Sequence, residues 1–546
     1  MSTPHRSLQE TSPLITISVD AYSEDALATA LSNDWVSKEA VQTGQHFNFL
    51  REYLGPVRDG LHAMTIVREW PYVSQSYLED YAHYYARCFV PYERDCTRVH
   101  FFHHAFSKEE LLAALAEGDE HDIWAKYLGY IVIKPIPSPL GATLLLPYAT
   151  GPHQERHYPV QRPYSVNLLG KQLLIPTLIW QAQDTNVSAC ATTALWMAFH
   201  KTAFLFQTQL PSPYLITESA GNLFNHSGRS FPNQGLDPFQ IMTAIQSVGL
   251  VSELRNKFPD PQQLQPEDRA LKEKELKAFI YAYLRLGLPV LLFIDFKEQQ
   301  GAHLIAATGY RQPENSYTYA TTTISAGSNA GSYPALYSDG IVQLYAHDDG
   351  VGPYARLRFE ASTGFVITSW PKDHDWHRAH LYTVVVPIID GIRITYEQVY
   401  KQAARLNDFL SFLRPIFEPD PAKLSPVVWN IYLQLSNAHK EETLAGTDGT
   451  LEQRQRVVTR LLPKYVWVAR ALYQGKPLME FIFDATDLHT GFYCLLTTTY
   501  TPLRAFLVAD VAAHGSQTYY ALKQLGKLKY FDLLWEDLGI TGPIAP

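Results

Sequence analysis

Seven prolines fall between residues 135 and 163 (Pro135, Pro137, Pro139, Pro147, Pro152, Pro159 and Pro163). Proline has no N–H to donate and its φ is fixed, so a stretch this dense continues neither a helix nor a central strand. It divides the chain, and a boundary is expected near residue 165. A chain of 546 residues has room for three or four domains. Three are expected: 1–165 of mixed α/β character, 166–390, and 391–546, mainly helical with a strand pair.

The local patterns support an α+β fold. Residues 78–88 and 107–116 read as helices, the second opened by Ser107 with Glu110 in the capping-box position. Residues 127–134 are β-branched and aromatic and suit a buried strand. In the middle third, residues 173–180 read as a strand, and helices are expected over 190–206, 237–248 and 266–286. Apolar strands are then expected at 290–296, 303–308, 341–347 and 382–387. Helices first and strands afterwards imply a mostly antiparallel sheet. The last third opens with a helix from about residue 394 and closes with strands at 479–483 and 492–499.

Composition removes several function classes. The net charge is 45 − 54 = −9, which disfavours a general binder of nucleic acid or anionic membranes. No run of 18 apolar residues exists, and the polar start of the chain lacks the apolar core of a secretory signal. A cytoplasmic location is expected. The four cysteines, Cys88, Cys96, Cys190 and Cys494, include no CxxC pair, so neither a disulfide framework nor structural zinc is expected. No GxxxxGK[ST], GxGxxG or GxSxG motif is present.

Cys190 carries the chemistry that remains. It follows the polar loop Gln183-Asp-Thr-Asn-Val-Ser-Ala and opens a helix, whose unsatisfied N–H groups and dipole favour a thiolate. His303 opens an apolar strand, where its ring can serve the sulfur as base. The next strand ends in Tyr345-Ala-His-Asp348-Asp349, so Asp348, with Asp349 as the alternative, can orient the imidazole. Gln183 can donate to an oxyanion beside the Cys190 N–H.

The order Gln, Cys on a helix N-terminus, His, Asp resembles the papain-like cysteine peptidases, and most closely their bacterial C39-like branch. The matching pieces are Gln183…Cys190-Ala-Thr-Thr-Ala-Leu, Gly301-Ala-His303-Leu-Ile-Ala-Ala-Thr-Gly309-Tyr310 and Tyr345-Ala-His-Asp348-Asp349. Gln234-Gly-Leu-Asp-Pro and Gly287-Leu-Pro-Val-Leu-Leu support them. The resemblance covers residues 166–390 and implies a papain-like domain with acyl transfer through a thioester, on a protein or peptide substrate, without a cofactor. A regulatory partner could use the flanking domains. The chain departs from the family pattern in having Ala191 after the nucleophile, in placing Gln183 seven residues before it, and in a Ser/Tyr/Thr-rich insertion over 311–340. Gln181 and Asp184 are the other residues near the oxyanion position. These departures motivate a second reading, a non-catalytic interaction protein on the same scaffold.

Other clusters carry less. His100, His103 and His104 crowd one segment. His374, His377 and His380 recur every third residue, which drifts around a helix rather than presenting a zinc pair. His153 and His157 lie among the prolines. Asp484 and Asp487 suit a turn cap.

Overall fold

A computed structural model of the chain describes residues 14–539 except 58, 119–120, 150–154, 185, 222–234, 256–257, 297–301, 314–316, 325–330, 361–362, 371–377, 419, 421–423, 489–493 and 515–529. His153, Gln234, Gly301, and His374 and His377 with their neighbouring aspartates lie outside the described residues.

The chain is α+β, with helices packed on antiparallel sheets. The first sheet has the order β1 (Thr16–Ala21), β2 (Thr65–Tyr72), β3 (Cys96–Phe102), β4 (Tyr127–Ile133), β5 (Leu140–Leu145). β4 is buried along its whole length, as its apolar run requires. The prolines punctuate strands here rather than replacing them. β5 fits between Pro139 and Pro147 and takes an edge position, where missing donors cost least. After β6 (Glu155–His157), β7 (Arg162–Leu168) and β8 (Lys171–Thr177) form a two-stranded hairpin. Its two-residue turn holds Leu169 at φ 52° and Gly170 at φ 91°, the paired positive φ values that match strand twist. Pro163 and Pro176 face each other across it.

The central sheet contains β9 (Val251–Arg255), β10 (Val290–Phe296), β11 (Ala302–Gln312), β15 (Gln343–Asp348), β16 (Gly352–Phe359), β17 (Val366–Ile367) and β18 (Arg378–Ile388), with β6 paired to β11. β10 pairs with both β11 and β18, so the path β10-β11-β15-β16-β17-β18 closes on itself. The 311–340 insertion, expected as a hairpin or loop, includes a short hairpin of β12 (Thr322–Ile324) and β13 (Gly331–Tyr333). β14 (Ala335–Leu336) leaves it for the third sheet.

Beside the C-terminal helices, the expected strand pair belongs to a larger third sheet. It pairs β14 with β19 (Val428–Leu435), β20 (Tyr465–Tyr473), β21 (Lys476–Asp484) and β22 (Cys494–Thr499). The β21–β22 pair was legible; β19 and β20 were not. Asn430, Gln434 and Arg470 interrupt their apolar runs and blur the strand pattern.

Alternation along the central strands feeds two cores. Leu291, Phe293, Leu304 and Ala306 face a cluster shared with the first sheet, β7, β8 and the helix Cys190–Phe206. Leu292, Ile294, Ile305 and Ala307 face a second cluster, shared with the helix Pro266–Leu284 and the C-terminal sheet. This is why the strands read as continuous apolar runs: both faces are covered. Each core draws on residues from both sides of an expected boundary, near 165 in one case and near 390 in the other.

Helix starts follow their side chains. Ser107 and Glu110 close a capping box, and so do Asp237 and Gln240 ahead of Pro238. The helix Cys190–Phe206 differs. Its N-cap is Ala189, which offers no side-chain hydrogen bond. Its first N–H groups are therefore left without a side-chain cap, at the position where the sulfur sits.

Candidate active site

His303 stands at the start of β11, opposite Ile294 of β10. Asp348 ends β15 at a register shift, which turns the carboxylate toward the imidazole. His303 Nε2 lies 2.8 Å from Asp348 Oδ1, and both side chains are largely buried. The same oxygen accepts from Gly350 N at 3.0 Å, and Oδ2 accepts from Trp370 Nε1 at 2.8 Å. The Cys190 side chain lies close enough to His303 to raise its pKa. With Nε2 taken by the carboxylate, Nδ1 is the nitrogen left for sulfur.

The electrostatics favour an ion pair. Burial pushes the Asp348 carboxyl up, but the His303 charge, its hydrogen bond and the Trp370 and Gly350 donors outweigh it and hold the group below its ordinary value. Burial pushes His303 down. The Asp348 and Asp349 carboxylates, the hydrogen bond to Asp348 and the nearby Cys190 side chain overcome that and raise it well above its ordinary value. The imidazolium is the favoured form, ready to give up a proton and then recover one.

Asp349 plays a different part. Among the described residues neither carboxyl oxygen has a hydrogen-bond partner, and His303 Nε2 lies 3.5 Å from Oδ1. Burial raises its pKa to about 7, with Asp348 adding to the rise and His303 opposing it. The Asp348 position is the one that holds the imidazole; Asp349 serves through its backbone, its carbonyl accepting from His46 Nε2 at 2.8 Å. Trp180 Nε1 donates to the Asp348 carbonyl at 2.9 Å.

Sequence reasoning did not single out Trp370, His46 or Trp180. Trp370 covers the imidazole as well as binding the carboxylate, with its ring edge-on to His303 at 5.5 Å. Phe296 flanks both rings, at 5.4 Å from Trp370 and 6.3 Å from His303. The adjacent His347 is structural. It accepts from Tyr354 N and donates to the Leu178 carbonyl, and burial pushes its pKa down to about 4.

The loop ahead of Cys190 is anchored by Asp184. Its carboxylate accepts from Tyr85 Oη at 2.5 Å and from Asn186 N at 3.2 Å, with Lys134 Nζ at 4.0 Å. Its carbonyl accepts from Val187 N and Ser188 N. Asp184 is thus committed to the loop and is no oxyanion donor. Gln183, half-buried in the same loop, makes no hydrogen bond to another described residue. The fold brings Cys190, His303 and Asp348 together; it does not tie Gln183 to them.

His303, Asp348 and Asp349 also offer donor atoms within 4.8 Å of one another. They are a poor cation site as arranged. Nε2 is engaged as a donor to Asp348, and both Asp348 oxygens accept from N–H groups. Outside the site, the His100 ring joins Tyr127 and Glu69 in a buried network, and His103 contacts the His62 carbonyl. Asp484 accepts from Thr486 N and Oγ1, a turn cap. All four cysteines are free thiols. Among the described residues no helix is long and apolar enough to cross a membrane. No family model and no curated protein matches the chain, so the chemistry is argued from these residues alone.

Proposed function

We propose that the chain is a cysteine hydrolase of papain-like type, similar to the C39-like peptidases, acting on a protein or peptide through a thioester. The observation that supports this most is a single imidazole hydrogen-bonded to a buried carboxylate and close to a thiol on an uncapped helix start.

Cys190 sulfur attacks the substrate carbonyl, and the C=O electron pair moves to oxygen. The Cys190 N–H and the free end of the helix receive that charge, a stabilisation worth about 100- to 1000-fold per donor. His303 gives its proton to the departing amine, and the thioester remains. Water then loses a proton to His303 as it attacks the thioester, and Cys190 leaves as thiolate. Asp348 keeps the ring in place through both steps, and Trp370 keeps water from the His303–Asp348 bond. Gln183 is a candidate second oxyanion donor. The free thiols suit a reducing setting.

The test is intact-protein mass spectrometry after incubation with p-nitrophenyl acetate, quenched in acid. An acetyl adduct on Cys190, absent in Cys190→Ala, is expected. A Cys190→Ala variant that turns over the ester at the wild-type rate contradicts the proposal.

A further inference from the structure

Gln183, one candidate side-chain donor to the oxyanion, makes no hydrogen bond to another described residue. A second candidate lies on β18. β10 and β18 pair Phe293 with Thr383 and then Ile294 with Leu381, so Tyr382 is an extra residue in a bulge. A bulge re-aims a side chain, and this one lies one strand across from His303, which pairs with the same Ile294.

The Tyr382 ring packs against the cluster that contains the Cys190–Phe206 helix and sits 5.7 Å from the Phe293 ring. It therefore lies on the sheet face that the nucleophile helix covers. The residue is half-buried, and its hydroxyl makes no hydrogen bond to a described residue. Such a group, held by packing at one end and free at the other, is preorganised for a partner that arrives with the substrate.

We propose that the Tyr382 hydroxyl donates to the oxyanion formed when Cys190 attacks a substrate carbonyl. The inference rests on the acyl-transfer reading above. In the step, the S–C bond forms, the carbonyl electron pair moves to oxygen, and that oxygen accepts from Tyr382 Oη–H and the Cys190 N–H. When the pair returns, the leaving group departs with the His303 proton. Tyr382 keeps its own proton throughout. Burial, then Asp295 and Cys190, raise the hydroxyl above its ordinary value, which keeps it a donor across the working pH range.

Two probes separate this role from a structural one. p-Nitrophenyl acetate reacts through an oxyanion; iodoacetamide alkylates the same sulfur by displacement at a saturated carbon and forms none. In Tyr382→Phe, which keeps the ring and its packing, acylation of Cys190 is expected to fall about 100-fold. Alkylation is expected to hold within about 2-fold, since that reaction draws on no oxyanion donor. Unchanged acylation overturns the assignment, and so does an equal fall in both rates, which would mean that the hydroxyl supports the site rather than the oxyanion. If the wild type is alkylated at Cys190 but never acylated, the acyl-transfer reading itself fails, and that outcome is distinct from the other two.

Discussion

The two halves of the site are built differently. The strand-borne half, His303 with Asp348, is saturated: one carboxylate accepts from an imidazole, an indole and a backbone N–H, and aromatic rings close over it. The helix-borne half, Cys190 with its loop, is anchored away from the sulfur, by Asp184 and by the Val187 carbonyl, which accepts from Thr217 Oγ1 at 2.9 Å. Asp184 ties that loop to Tyr85, about one hundred residues earlier, while Gln183 and the helix start stay uncommitted. The contrast separates tasks. A base must be held in one orientation and one protonation state, so its surroundings are dense. An oxyanion donor must be free until charge appears, so its surroundings are open.

Breaking the dense half has the largest effect. Asp348→Asn removes the charge that orients His303 and raises its pKa, and acylation of Cys190 by p-nitrophenyl acetate is expected to drop about 1000-fold or more. A drop under about 10-fold would show that the ring is held without the carboxylate. The stability effect has a defined sign. Asp348 is depressed in the fold, so its contribution is present above its unfolded pKa and is lost as pH falls through the folded one.

Loosening the open half costs less. Tyr85→Phe removes one donor from the buried Asp184 carboxylate, and about 1–3 kcal/mol of stability should go with it, measured by denaturant unfolding. The Cys190 alkylation rate should fall only a few-fold. A change as large as that of Asp348→Asn would erase the distinction between the halves.

The smallest effect sharpens the comparison by pH. Asp349 is a buried acid raised to about 7, and its carboxyl oxygens have no hydrogen-bond partner among the described residues. Its neutral form is favoured in the fold, so stability is lost as pH rises from its unfolded value, near 4, through about 7. Asp349→Asn should melt with the wild type near pH 4 and above it at pH 8. A variant less stable than wild type at pH 8 would mean that the charged carboxylate supports His303.

Much of the site was legible in the sequence because its parts are local. The helix begins at Cys190, as its apolar run after a polar loop indicates, and His303 opens a strand after a short polar break. Asp348 was identifiable because a strand ends there in consecutive aspartates before glycine. Its supports were not. Trp370 lies 22 residues from Asp348, and His46 lies 303 residues from Asp349. Neither carries a local pattern that points to a catalytic centre. The Tyr382 bulge was hidden for a related reason: residues 382–387 read as a plain apolar strand, and only pairing with β10 reveals the extra residue. The C-terminal sheet was missed where polar residues within β19 and β20 broke the strand period. The proline stretch marked strand ends correctly but not a break between cores, since β6 still pairs with β11 beyond it.

The central claim is that His303 activates Cys190, and site-resolved alkylation of Cys190 by iodoacetamide against pH tests it directly. The account predicts labelling at about pH 6, well below the ordinary thiol value near 8.5, at least 10-fold faster than in His303→Ala. Labelling that follows an ordinary thiol and is the same in His303→Ala would contradict it.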